Sequence, residues 1–186
     1  MIYQGACGLT TGMGLVRICE RTPGEPRSAV AHSMIVNEDA PDIFSTDVIE
    51  ANWRVELTHV ARKYRKKKKT EVMIANPLFL DSSERREVAR VARTHLGQKY
   101  GWWKIGLHGL DYFRSRRTGK ESFFFRSIIR MKSRPICSYI NALAYQAVGY
   151  KFLGKPAGVI QPDDIYDDIM QYPERWDVIF PLQKIT

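Results

Sequence analysis

Apolar residues in this chain fall into short alternating runs near the N-terminus and into longer helical repeats after residue 80. Gly14–Cys19 (GLVRIC), Ala29–Val36 (AVAHSMIV), Asp47–Asn52, Arg54–Leu57 and Glu71–Ala75 each match a strand. In Ala29–Val36, a period of two places Val30, His32, Met34 and Val36 on one face. Asp47–Asn52 and Arg54–Leu57 pair as a hairpin around Asn52-Trp53, and Thr58–Tyr64 forms a short helix with Thr58 as its cap. Asp81–Leu96 is the clearest helix: Asp81, Ser82 or Ser83 caps it, Val88, Val91, Ala92 and Leu96 follow helical spacing, and Gly97 ends it. Trp102–Phe113 reads as an aromatic helix, and Ser115–Ser133 as a basic, irregular insertion around Phe123–Phe125. A helix follows from Cys137 to Val148, ended by Gly149, then another from Gln161 to Met170 with Pro162 at its start. Asp177–Leu182 closes the chain as a strand. Strands early, helices in the middle and late, and a final strand predict an α+β fold with an antiparallel sheet.

Length and charge narrow the picture further. A chain of 186 residues fits one domain spanning 1–186 with a normal core. The net charge of +9 draws it toward something anionic: nucleic acid, a membrane surface or a wall polymer. Much of that charge lies in Arg62–Lys69 (RKYRKKKK), seven cations in eight residues. Such a run is ordinarily a solvated, self-repelling segment, and equally a docking site for phosphates. No apolar stretch reaches the ~20 residues of a membrane span. Met1–Gly14 lacks a charged start and is broken by glycines, so it makes a poor signal peptide. The expectation is a cytoplasmic protein, released by lysis or associated with a phage if it acts outside. Cys7, Cys19 and Cys137 have neither disulfide-framework nor zinc spacing, which implies a reducing compartment and a free thiol. No metal or organic cofactor is expected.

The candidate chemistry lies in two segments about a hundred residues apart: His32 in an apolar strand and Cys137 at the start of an apolar helix. A free thiol with a pKa of ~8.5 is mostly protonated at neutral pH, and a helix N-terminus and an imidazolium both favour the thiolate. Cys7 and Cys19 lack that context and read as packing residues. So would Cys137 and His32 taken singly, since free cysteine is among the most buried residue types. His59, His95 and His108 fall in predicted helices and read as structural. Asp163 and Asp164 after Pro162 read as helix-cap and first-turn acids.

Taken in order, AHSMIV, VIEANWRV, CSYINALAYQAVG and IQPDDIY resemble the circularly permuted NlpC/P60 group, in particular its YiiX/YebB-like branch of papain-like cysteine hydrolases. The resemblance covers roughly residues 12 to 170. It implies a papain-like fold in which the histidine strand precedes the cysteine helix, and it needs no cofactor. It implies Cys137 as nucleophile, His32 as general base, Glu50 as the residue that orients the imidazole, and Tyr100 as a substrate-binding tyrosine. The implied substrates are cell-wall peptides or acylated lipids and peptides, cleaved at an amide through a thioester. Acyl transfer is an alternative fate for that thioester. One departure stands out: the group's Gly-Asp-hydrophobic opening is here Gly12-Met13-Gly14-Leu15-Val16, without the acid. Two other readings follow from the same residues. One is a basic nucleic-acid-binding protein in which Cys137 is structural. The other is a catalytically inactive family member.

Overall fold

The computed structural model describes residues 1–11, 28–67, 69–99, 101 and 136–186. The described strands are β1 (Cys7–Thr10), β2 (His32–Val36), β3 (Asp47–Ala51), β4 (Val55–His59), β5 (Val72–Pro77) and β6 (Trp176–Gln183). The helices are α1 (Val60–Tyr64), α2 (Ser82–Arg93), α3 (Cys137–Gln146) and α4 (Pro162–Gln171). The strands form one antiparallel sheet in the order β4-β3-β2-β1-β5-β6. The fold is α+β, with helices packed on the sheet.

The pleat sorts the strands' apolar residues into two buried layers. Leu9, Ile35, Ile49, Val55 and Met73 share a core with α2, α3 and α4. Met34, Val36, Val48, Val72 and Ile74 share the other with Val60, Ala61 and Tyr64 of α1. Val30 lies in the first layer, not with Met34 and Val36 as the period-two reading expected. The strand begins only at His32, so the alternation does not extend back to Val30.

Local signals set most boundaries. Asp81 caps α2 in a reciprocal box with Glu84, and Gly97 beyond its end has φ +81°. Thr58 is not the cap of α1; His59 is, accepting from the Arg62 N–H at 3.5 Å. His95 lies in the turn after α2. The central strand β1 falls within Met1–Gly14, a segment in which the sequence pattern predicts no strand. Its Gly8 faces Met34 across the ladder, and a Cβ there would sit 2.5 Å from Met34 Cγ. Glycine is required by this close approach. Gly14–Cys19, Trp102–Phe113, His108 and Ser115–Ser133 lie outside the described residues.

Candidate active site

His32 opens β2, and Glu50 stands opposite Met34 on β3, so the two occupy diagonal positions on one face. His32 Nε2 lies 2.9 Å from Glu50 Oε2. The ring also hydrogen-bonds with the side chain of Cys137, the first residue of α3. The structure thus brings His32, Glu50 and Cys137 together. Tyr100, the fourth residue named from the sequence, lies outside the described residues.

A second set of contacts comes from α1. Tyr64 donates its hydroxyl to Glu50 Oε2 at 2.5 Å, and Lys63 Nζ reaches Glu50 Oε1 at 2.6 Å. Lys63 also lies 3.5 Å from Glu56 on β4. Both residues belong to the basic run that the sequence reading treated as one solvated or phosphate-docking segment. The run divides: Lys63 and Tyr64 turn in, while Arg62, Arg65, Lys66, Lys67 and Lys69 are exposed. Helical spacing was the available signal, because Val60, Ala61 and Tyr64 form one apolar face and Lys63 borders it.

The electrostatics follow from burial and proximity. Burial alone would push the His32 pKa down. The Cys137 charge and hydrogen bond, and then Glu50, overcome it and raise His32 to about 10. Glu50, 1% exposed, is opposed by burial, yet His32 and Lys63 hold it well below the usual carboxylate range. Burial, then the Glu50 charge, pushes Tyr64 well above its ordinary value, so it acts as a neutral donor. An ionised carboxylate only accepts hydrogen bonds, so His32 Nε2 carries a proton toward Glu50. Nδ1 is then the nitrogen available to the Cys137 sulfur.

Other polar contacts fix the parts in place. Asn141, one turn after Cys137, donates to the Cys137 carbonyl and to Ser33 Oγ, each at 3.1 Å, which ties the start of α3 to β2. Ser138 donates to the Ile160 carbonyl at 2.7 Å. Asp164 takes the expected capping role at Gln161. Asp163 instead accepts from Ser28 Oγ at 2.9 Å and the Ala29 N–H at 3.1 Å, anchoring the segment that leads into His32. Nothing local in the sequence marks these long-range contacts. A groove of about 680 Å³ lined by Gln4, Ser83, Arg86, Arg90 and Val148 includes none of His32, Glu50 or Cys137.

No protein-family model and no curated protein matches the chain. Among solved structures, it is similar to one described as metalloprotein YiiX from Escherichia coli O157:H7, DUF1105, at 13% identity and a TM-score of 0.56. That match covers 96% of this chain and 97% of the other. The likeness is one of fold and is consistent with the YiiX-like, papain-like arrangement. No group of three or more His, Cys, Asp or Glu among the described residues is placed to hold an ion. Glu50 is committed to two protonated partners and a lysine ammonium, which would repel a cation.

Proposed function

We propose that this protein is a cysteine hydrolase that cleaves an amide bond. The supporting observation is the His32 ring, shared between a buried carboxylate and the thiol at the start of α3. The Cys137 thiolate attacks the carbonyl carbon, and the C=O electron pair moves onto oxygen. The Cys137 backbone N–H, at the first residue of α3, serves the developing oxyanion. Collapse expels the amine, which takes the proton from the His32 imidazolium and leaves a thioester on Cys137. Water then attacks the thioester carbonyl as His32 accepts its proton. The acid leaves, and the thiolate–imidazolium pair is restored. Glu50 holds the ring and stabilises its charge. The substrate is a peptide or acyl amide, and the resemblance points to cell-wall peptides or acylated lipids.

The test is alkylation of the intact protein by iodoacetamide at pH 6–7. Cys137 is expected to react faster than free cysteine, and His32→Ala to slow it. Reaction no faster than free cysteine removes the ion pair and with it the mechanism.

The exposed cations Arg62, Arg65, Lys66, Lys67 and Lys69 support a second reading, electrostatic docking on nucleic acid or another anionic polymer. It predicts nucleic-acid binding that collapses between low and moderate salt and is unchanged by Cys137→Ala.

A further inference from the structure

We infer that Lys63 is a positioning residue: it makes the Glu50 carboxylate electrically neutral as a unit, so that Glu50 orients His32 without adding net charge to the cysteine–histidine pair. The inference rests on the hydrolase reading. Four groups lie in a chain, with the Cys137 thiolate, the His32 imidazolium, the Glu50 carboxylate and the Lys63 ammonium alternating in sign. Lys63 Nζ is 2.6 Å from Glu50 Oε1, and its side chain is 21% exposed beside a fully buried carboxylate.

Among the described residues, Glu56 and Tyr64 also face this chain, and the exposed Lys67 ammonium lies 5.1 Å from the centre of the Tyr64 ring. Glu56 lies 3.5 Å from Lys63, but its side chain is 43% exposed and accepts from Asn52, so water screens it. Tyr64 stays protonated and adds a dipole without a charge. With Lys63 in place, the buried groups sum to zero. Without it they sum to −1, in surroundings where charge is poorly screened. A negative potential there disfavours the thiolate and favours the imidazolium. Both limbs of a reactivity profile then move to higher pH. Loss of packing alone would lower the rate without moving the limbs together.

The charge argument makes a double variant informative. Lys63→Met removes one positive charge, and Glu50→Gln removes one negative charge while keeping an oxygen to accept from His32. The double variant is neutral again. The experiment measures the iodoacetamide rate constant of Cys137 from pH 4 to 10 in the wild type, K63M, K63R and K63M/E50Q. K63M is expected to move both limbs up by on the order of one pH unit. Near pH 5 the rate then falls by about tenfold, since each pH unit on the acid limb is a factor of ten. K63R is expected to keep the wild-type limbs, and K63M/E50Q to return them toward wild type. Unmoved limbs in K63M overturn the inference, as does a double variant displaced further than K63M. Should K63M fail to fold, K63R and the double variant decide the matter: displaced limbs in either overturn it. Failure of the hydrolase reading looks different, because the wild type itself then shows no excess reactivity and no dependence on His32.

Discussion

Glu50 and Asp168 are both carboxylates at 1% exposure, and each accepts from three donors. Asp168 takes the Tyr150 hydroxyl at 2.5 Å, the Leu153 N–H at 2.8 Å and the Trp176 indole N–H at 3.1 Å. Glu50 takes His32, Lys63 and Tyr64. The difference lies in the partners. Asp168's donors stay fixed through the ordinary pH range, and two of them, Tyr150 and Trp176, belong to a stack with Phe79, Tyr145 and Phe152. One of Glu50's donors changes its protonation and touches a thiol. Burial and satisfied hydrogen bonds therefore do not identify a chemical site. A partner that can exchange its proton with a third group does.

The cysteines give the same contrast and the largest expected effect. Cys7 is buried, with burial first pushing its thiol up to about 12, and its neighbours are Tyr145 and Asn141. Cys137 adjoins an imidazole. At pH 6.5, iodoacetamide is expected to label Cys137 at least about a hundredfold faster than Cys7, because only the thiolate reacts. Peptide mapping by mass spectrometry reads the ratio, and comparable labelling of the two would erase the distinction.

Removing the carboxylates separates them next. Asp168→Ala leaves one buried donor, the Trp176 indole N–H, and two partly buried ones without their acceptor, a loss of about 1–3 kcal/mol for the buried donor and less for the others. It should leave the pH profile of Cys137 labelling where it was. Glu50→Gln keeps the shape but gives up the charge that stabilises the imidazolium. By the same sum of charges, both limbs of its labelling profile are expected to move down by on the order of one pH unit, each unit being a factor of ten on a limb. Urea denaturation together with labelling distinguishes the two, and a moved profile in Asp168→Ala would break the contrast.

The pH dependence of stability sharpens it further. His32 is raised from an ordinary 6.5 to about 10 in the folded protein. Its contribution is fully present below about 6.5 and is lost as pH rises through 10. Glu50 is depressed, so its contribution is present above the ordinary carboxylate range and is lost only in strong acid. The stability gap between wild type and His32→Gln is therefore expected to be widest near pH 6 and to close toward pH 10. A gap that stays constant across that range would deny the coupling of His32 to Cys137 and Glu50.

The legibility of these features follows their range along the chain. The β3–β4 hairpin, the Asp81 cap and the helix starting at Cys137 depend on neighbours a few residues away, and their patterns are visible in sequence. β1 is different. Its four residues, CGLT, hold a central place because β2 and β5 flank them, and Gly8 is there to admit Met34. Neither fact has a local signature. His32, Glu50 and Cys137 stood out because the sequence resembles a known arrangement, whereas Lys63 was hidden inside a run of like charges. Asp163 was hidden by being a plausible cap, although its contacts lie 134 and 135 residues away.

The smallest effect compares two tyrosines that do the same local work. Tyr64 and Tyr150 each donate to a buried carboxylate at 2.5 Å. Replacing either with phenylalanine keeps the ring and removes one charge-assisted hydrogen bond, at about 1.5–3 kcal/mol of stability. In Tyr150→Phe that is the whole expected consequence. In Tyr64→Phe the carboxylate loses a donor that shares Oε2 with His32, so its negative charge falls more heavily on the ring. The imidazolium becomes more stable, and the alkaline limb of Cys137 labelling is expected to move up by a fraction of a pH unit. Equal losses of stability with a shift only in Tyr64→Phe would show two equivalent hydrogen bonds distinguished by what lies on the far side of the carboxylate. A matching shift in Tyr150→Phe would mean that the aromatic stack and the Cys137 site are coupled, and that the two carboxylates are not the separate devices their contacts describe.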